Sequence, residues 1–157
     1  MIELRAVRPE DRELLWTLLQ KYLYELTNFY DDEMDAAGNY GYRYFDAYFS
    51  DPSRRALLLY DAQALVGFAM IHPYSHIGES PDHVLAEFTV FPMYRRRRLA
   101  EQAVQAIFRC CRGSREIKYH EGNAAAKALW SKVTAPYRPR KLRISDTETV
   151  LSFRIEP

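Results

Sequence analysis

Four consecutive arginines, Arg95 to Arg98, stand in the stretch YRRRRLAEQAV (94–104), directly ahead of an amphipathic helical pattern. Four like charges in a row repel one another and could not be buried without partners; the plain reading is a solvated basic patch. Where a strand runs into a tight turn and a helix begins, unpaired backbone N–H groups and the positive end of the helix dipole already favour an anion. Arginines there add charge-assisted hydrogen bonds, so the chemistry on offer is capture of phosphate. The second candidate is Glu87, the one charged residue in the otherwise apolar run VLAEFTVF (84–91). Partial desolvation raises a carboxyl pKa towards that of a useful general base. The same glutamate also reads as a structural residue, paired with an arginine or capping backbone groups, and both readings stay open.

Other reactive side chains form weaker patterns. His72, His76, His83 and His120 lack metal-ligand spacing, so no metal site is expected. Cys110 and Cys111, near a helix end, read as core and edge residues rather than nucleophiles. Adjacent cysteines make no structural staple, which suits a reducing compartment. Tyr24 and Tyr30, with Asp31 and Asp32, belong to an aromatic and acidic segment that suits a cationic ligand, although tyrosines at helical spacing also simply pack.

These residues need elements to position them. IELRAV alternates as a strand, and Leu15, Leu18, Leu19, Tyr22, Leu23 and Leu26 recur at helical spacing after Pro9. YDDEMDAAGNYG (30–41) is a polar loop, and YRYFDAYF (42–49) suggests a second helix. ALLLY and LVGFAMI read as a hairpin turning at DAQA. Val84 to Phe91 is apolar on both alternating faces, as in a central strand covered on two sides. From Leu99 the apolar positions 100, 103, 104, 107 and 111 share one helical face, and Gly113 closes that helix. EIKYH is a strand, NAAAKALWSKV a helix capped by Asn123, and KLRIS and TVLSFRI a final strand pair. The pattern predicts an α/β or α+β fold in one domain spanning 1–157.

Composition narrows the partners. The 157 residues carry a net charge of +1, unlike the strongly basic domains that bind nucleic acid, so none is expected. The N-terminal residues are charged and strand-like, unlike a signal peptide, and no apolar run approaches the ~18 residues of a membrane span. A cytoplasmic protein without a membrane partner is the expectation, and the terminal strand pair offers an edge for a homodimer.

With these motifs in order, the chain resembles the GNAT superfamily of acetyl-CoA-dependent N-acetyltransferases. The family's pyrophosphate loop reads Gln/Arg-x-x-Gly-x-Gly/Ala, and here Arg95, Arg98 and Ala100 fall in its three places. A later asparagine, followed by a helix ending in an aromatic, is similar to GNAAAKALW with Asn123, Ala126 and Trp130. Two positions depart from the pattern: Arg98 replaces a glycine, and Trp130 stands where many members carry a tyrosine that protonates the leaving thiolate. Indole N–H is too weak an acid for that task.

The resemblance implies a mixed, mostly antiparallel sheet of six or seven strands, flanked by about four helices, with central strands splayed apart. It implies acetyl-CoA as co-substrate, its pantetheine arm along the backbone of Phe88, Thr89 and Val90 and its phosphates on the amides of Arg96, Arg97, Arg98, Leu99 and Ala100. Asn123 would contact the pantetheine arm and Trp130 the thiol end. Glu87 would deprotonate a small-molecule or peptide amine walled by Tyr24, Tyr30, Asp31 and Asp32. Two other readings follow from the departures and from the arginine run: an acyl-CoA-binding member without catalysis, and a nucleic-acid-binding module.

Overall fold

A computed structural model describes residues 1–156. Seven strands form one sheet: β1 (Ile2–Ala6), β2 (Arg55–Asp61), β3 (Ala64–His72), β4 (His83–Val90), β5 (Gly113–His120), β6 (Arg140–Arg143) and β7 (Glu148–Ile155). Their spatial order is β1-β2-β3-β4-β5-β7-β6, and only the central pair β4 and β5 runs parallel. Helix α1 (Arg12–Leu26) covers one face, while α2 (Leu99–Cys110) and α3 (Ala124–Thr134) cover the other.

The helical periodicities account for both layers. Leu15, Leu18 and Leu19 of α1 are buried against Ala56, Leu58, Phe68 and Met70, which alternate along β2 and β3. On the opposite face Val104, Ile107 and Phe108 of α2 join Trp130 and Val133 of α3 over Leu57, Ile71, Leu85 and Ile117. The buried stripe of α2 is Leu99, Ala103, Val104, Ile107 and Phe108, so it is rotated from the expected 100/103/104/107/111 stripe. Ala62 and Gln63 both adopt positive φ, 46° and 73°, which makes the DAQA connection the tight hairpin expected from sequence.

Two local expectations change. YRYFDAYF does not become an α-helix: only Asp46–Phe49 turns, as a 3₁₀ segment. Phe45 and Tyr48 are buried there with a spacing of three, which a 3₁₀ turn brings onto one side. The fold therefore has three α-helices rather than four. Gly113 does not close α2, whose C-cap is Cys111, but opens β5. It does so at φ 116°, and a Cβ there would lie 2.3 Å from the Asp82 carboxylate.

Candidate functional site

β4 and β5 pair at only three positions, His83↔Arg115, Val84↔Glu116 and Leu85↔Ile117. Beyond Leu85 they part. The cause lies on the other side of β4, where β3 pairs Ile71 with Leu85 but Met70 with Glu87, leaving Ala86 as a bulge. A bulge bends its strand and increases the twist, so β4 swings away from β5. Close contact with β3 holds it there: a Cβ on Gly67 would lie 2.1 Å from the Thr89 carbonyl oxygen.

The gap exposes backbone. The Phe91 N–H donates to the Val66 carbonyl at 2.7 Å, so Thr89 also faces β3 by strand alternation. The N–H and C=O groups of Phe88 and Val90 then face the gap, as the pantetheine reading requires. One of them is already engaged, because Arg95 Nε donates to the Val90 carbonyl at 2.8 Å.

The α1 side of the gap is polar. Glu87 is half-buried and accepts hydrogen bonds from Tyr42 Oη at 2.6 Å and Tyr22 Oη at 3.2 Å. Burial pushes its carboxyl pKa up, against the pull of the two hydroxyls and of Lys118 across the gap. Burial, reinforced by Glu87, raises both tyrosines far above their usual range, so they act as neutral donors. Lys118 on β5 pairs with Glu148 on β7 at 3.0 Å, and Tyr30 Oη donates to the same carboxylate at 2.8 Å. Burial favours protonation of Glu148, yet Tyr30 and Lys118 together hold its pKa below the usual range. His76 borders this group from the loop before β4, and burial and then Lys118 lower its pKa. The wall thus offers two carboxylates, one lysine and three tyrosine rings. A cavity of about 630 Å³ on the outer side of α1, lined by Trp16, Thr17 and Phe45, shares Tyr42 with this wall but does not contain Glu87.

Below the gap lies the arginine turn. Arg98 is the N-cap of α2 with φ 58° and ψ 17°, and Arg96 has φ 65°. Arg98 thus takes the left-handed conformation that glycine would adopt without strain, at a cost of about 1–2 kcal/mol. The turn keeps its shape, and the first amides of α2 stay free of side-chain caps. Among the described residues the guanidinium groups of Arg96, Arg97 and Arg98 have no salt-bridge partner and are exposed, so this corner fits a polyphosphate. Arg95 differs: it forks onto Glu25 at 2.7 and 2.8 Å while holding the Val90 carbonyl.

The remaining expected residues divide. Asn123 caps α3 by accepting from the Ala126 N–H at 3.1 Å. Trp130 is buried on the α2/α3 side, its ring centroid 5.4 Å from that of Phe88. Tyr30 joins the polar wall and Asp32 lies near it, but Tyr24 is 63% exposed, and Asp31 and Asp32 sit in the open loop. Lys118 and Glu148 escaped the site reading, and Tyr22 and Tyr42 entered it only as aromatics around the acidic loop, without their bonds to Glu87. The two tyrosines are visible as part of an aromatic cluster, whereas nothing local marks the lysine or the second glutamate.

A sheet opened at its one parallel pair, with a cationic strand–turn–helix corner below the opening, defines the N-acetyltransferase class of fold. Solved structures agree. An acetyltransferase from Thermus thermophilus is 19% identical, with a TM-score of 0.71 over 99% of this chain and 97% of that one. The ribosomal-protein-S18-alanine N-acetyltransferase from Escherichia coli is 13% identical, with a TM-score of 0.67 over 100% and 96%. Spermidine N-acetyltransferase from Vibrio cholerae, solved with CoA and spermine, is 12% identical, with a TM-score of 0.65 over 98% and 95%. No curated protein is significantly similar in sequence. The model of the acetyltransferase (GNAT) family matches residues 15–134, and the chain belongs to that family.

Proposed function

We propose that the protein transfers an acetyl group from acetyl-CoA to a primary amine by direct attack in a ternary complex. The observation that carries this reading is Glu87 at the lip of the gap, half-buried between two tyrosine hydroxyls and beside gap-facing backbone of Phe88. Acetyl-CoA supplies the activated acyl group, and the chain supplies the rest. Arg96, Arg97 and Arg98, with the amides of Leu99 and Ala100, hold the phosphates. The Phe88–Val90 backbone aligns the pantetheine arm, and the Val90 N–H polarises the thioester carbonyl. Glu87 takes the proton that an alkylammonium must lose before its nitrogen can attack. The aromatic and acidic wall of Tyr22, Tyr30, Tyr42 and Glu148 favours a cationic acceptor, a small amine or a peptide amine. Tyr24, Asp31 and Asp32 stand further out, where they meet an extended acceptor.

A second reading rests on a specific observation. Trp130 is no proton donor to sulfur, and the hydroxyls of Tyr22 and Tyr42 both donate to Glu87. A protein that binds acyl-CoA without turning it over has the same corner and the same gap. Thiol release from acetyl-CoA across a panel of polyamines, amino acids, aminoglycosides and N-terminal peptides separates the two, with calorimetric titration of CoA alongside. We expect release with at least one amine and a fall of about 10²–10³ in kcat for Glu87→Gln at unchanged CoA affinity. Micromolar CoA binding with no release from any amine would establish the second reading. Absence of CoA binding would remove both.

A further inference from the structure

The opposite end of α2 carries a second cluster, independent of acetyl transfer. α2 ends at Cys110, Cys111 is its C-cap, and the two Sγ atoms lie 2.9 Å apart. Cys111 is buried and Cys110 is open to solvent. Beneath them three strands present basic residues on one face. Arg55, His83 and Arg115 each stand two residues before Leu57, Leu85 and Ile117, which all pack in the core under α2 and α3. Arg55 Nη2 lies 2.9 Å from Cys111 Sγ and 3.9 Å from Cys110 Sγ.

Arg115 is the more telling residue. It is 1% exposed, and Nε, Nη1 and Nη2 all lack a hydrogen-bond partner among the described residues. A ring face is close, with Phe108 5.0 Å from the guanidinium carbon. The Asp82 carboxylate, beside His83, accepts from the N–H and hydroxyl of Ser114 through one oxygen. A buried guanidinium without a hydrogen-bonded partner costs several kcal/mol, and negative charge within its field lowers that cost. The thiols are the acidic groups within its field, together with Tyr137. The helix dipole opposes a thiolate at this end, but two guanidinium groups outweigh half a charge.

We infer that Cys110 and Cys111 form one nucleophilic dithiol, holding a shared thiolate against Arg55 and within the field of Arg115, with Cys110 as a site of oxidation by hydroperoxides and of S-thiolation by low-molecular-mass thiols. The pair titrates as a unit: the Cys111 hydrogen bond and then Arg55 draw Cys110 down to about 6, while Cys111, buried beside the charge, moves up. Burial and then Arg115 lower the pKa of His83, with Arg55 adding to them and Asp82 opposing, and Arg109 and Arg112 add positive charge from the chain on either side.

The chemistry balances without further reagents. The Cys110 thiolate attacks the peroxide O–O bond, sulfur is oxidised to the sulfenic acid, and hydroxide or alkoxide leaves. A low-molecular-mass thiol then attacks that sulfur, giving a mixed disulfide and water. Ring closure with Cys111 is disfavoured, because adjacent Cα atoms lie about 3.8 Å apart, below the roughly 4.4 Å that ordinary disulfides span. The sulfenic acid therefore waits for an external thiol.

Iodoacetamide labelling of the folded protein from pH 5 to 9, read at Cys110 by peptide mass mapping, tests the thiolate. We expect a midpoint near 6, displaced upward in Arg55→Ala and in Cys111→Ser. The midpoint is the proper readout, since a more acidic thiolate is also less nucleophilic and rates at neutral pH rise only a few-fold. A wild-type midpoint at the ordinary value of about 8.5, or one unmoved by Arg55→Ala, would overturn the assignment. Hydrogen peroxide with dimedone should give a stable adduct on Cys110, and a parallel sample given glutathione in place of dimedone should carry a glutathione adduct there instead. Loss of two hydrogens with no adduct, or an adduct on Cys111, would overturn the S-thiolation step.

Discussion

A base that must collect a proton from an alkylammonium ion needs a pKa lifted towards the working pH, but it must still ionise there. As the proposed base, Glu87 sits under opposing forces: burial raises its pKa, and Tyr42, Tyr22 and Lys118 restrain the rise. Removing a restraint therefore has a definite sign. Tyr42→Phe should move the acid limb of the kcat/KM profile to higher pH, because the carboxylate loses its shorter hydrogen bond. An unmoved limb would mean that another group titrates. Stability follows the same linkage. A carboxyl whose pKa is raised on folding stabilises the native state below its unfolded pKa, and that contribution is lost as pH rises through the folded value. At pH values above its folded pKa the ionised Glu87 is thus a burden, and there Glu87→Gln should raise Tm while lowering kcat. A purely structural glutamate would show the reverse, a lower Tm on substitution.

At the scale of elements, the gap depends on a bulge at Ala86 and on the close approach of Gly67 to Thr89. Gly67→Ala must push β4 away from β3, into the gap. We expect a loss of about 1–3 kcal/mol in stability and a raised KM for acetyl-CoA, measured by urea unfolding and steady-state kinetics. Unchanged values in both would show that the strand spacing is not set there. The three helices and the DAQA hairpin were legible because their signals are local: leucines at helical spacing, an asparagine cap, two apolar runs around a short turn. The segment 42–49 misled because its aromatics have a helical look but are buried only at Phe45 and Tyr48. The turn at Arg95 to Arg98 ahead of α2 was legible too, although not the left-handed conformation that Arg98 takes there. The polar wall was largely hidden. Glu87 stands out in an apolar strand, but Lys118 and Glu148 come to it through the pairing of β5 with β7, a contact between distant parts of the chain.

At the scale of the molecule, charge is arranged by place. Cationic groups gather at the two ends of α2, and the acidic loop 31–35 lies open beyond the polar wall. The sheet has two edges, β1 and β6, and in an edge-to-edge dimer through β6 its Lys141 and Arg143, with Arg140 that pairs with Glu79, would face their own copies. Such an edge resists pairing, so an edge-paired homodimer meets a repulsive register. The feature with the widest reach is the fork of Arg95 between Glu25 on α1 and the Val90 carbonyl on β4. That carbonyl is the acceptor an incoming pantetheine amide would use, so donor occupancy and the Arg95 contact compete for one oxygen. Displacing Arg95 loosens its grip on the end of α1, the helix that carries Tyr22 to Glu87. If acetyl-CoA lies along the gap as proposed, each substrate would report its presence to the other through Arg95, and linkage would make the effect mutual. Acceptor affinity should change about fivefold or more on adding CoA, and Arg95→Met should abolish that dependence. Equal coupling in wild type and variant would mean that the two substrates bind without notice of each other.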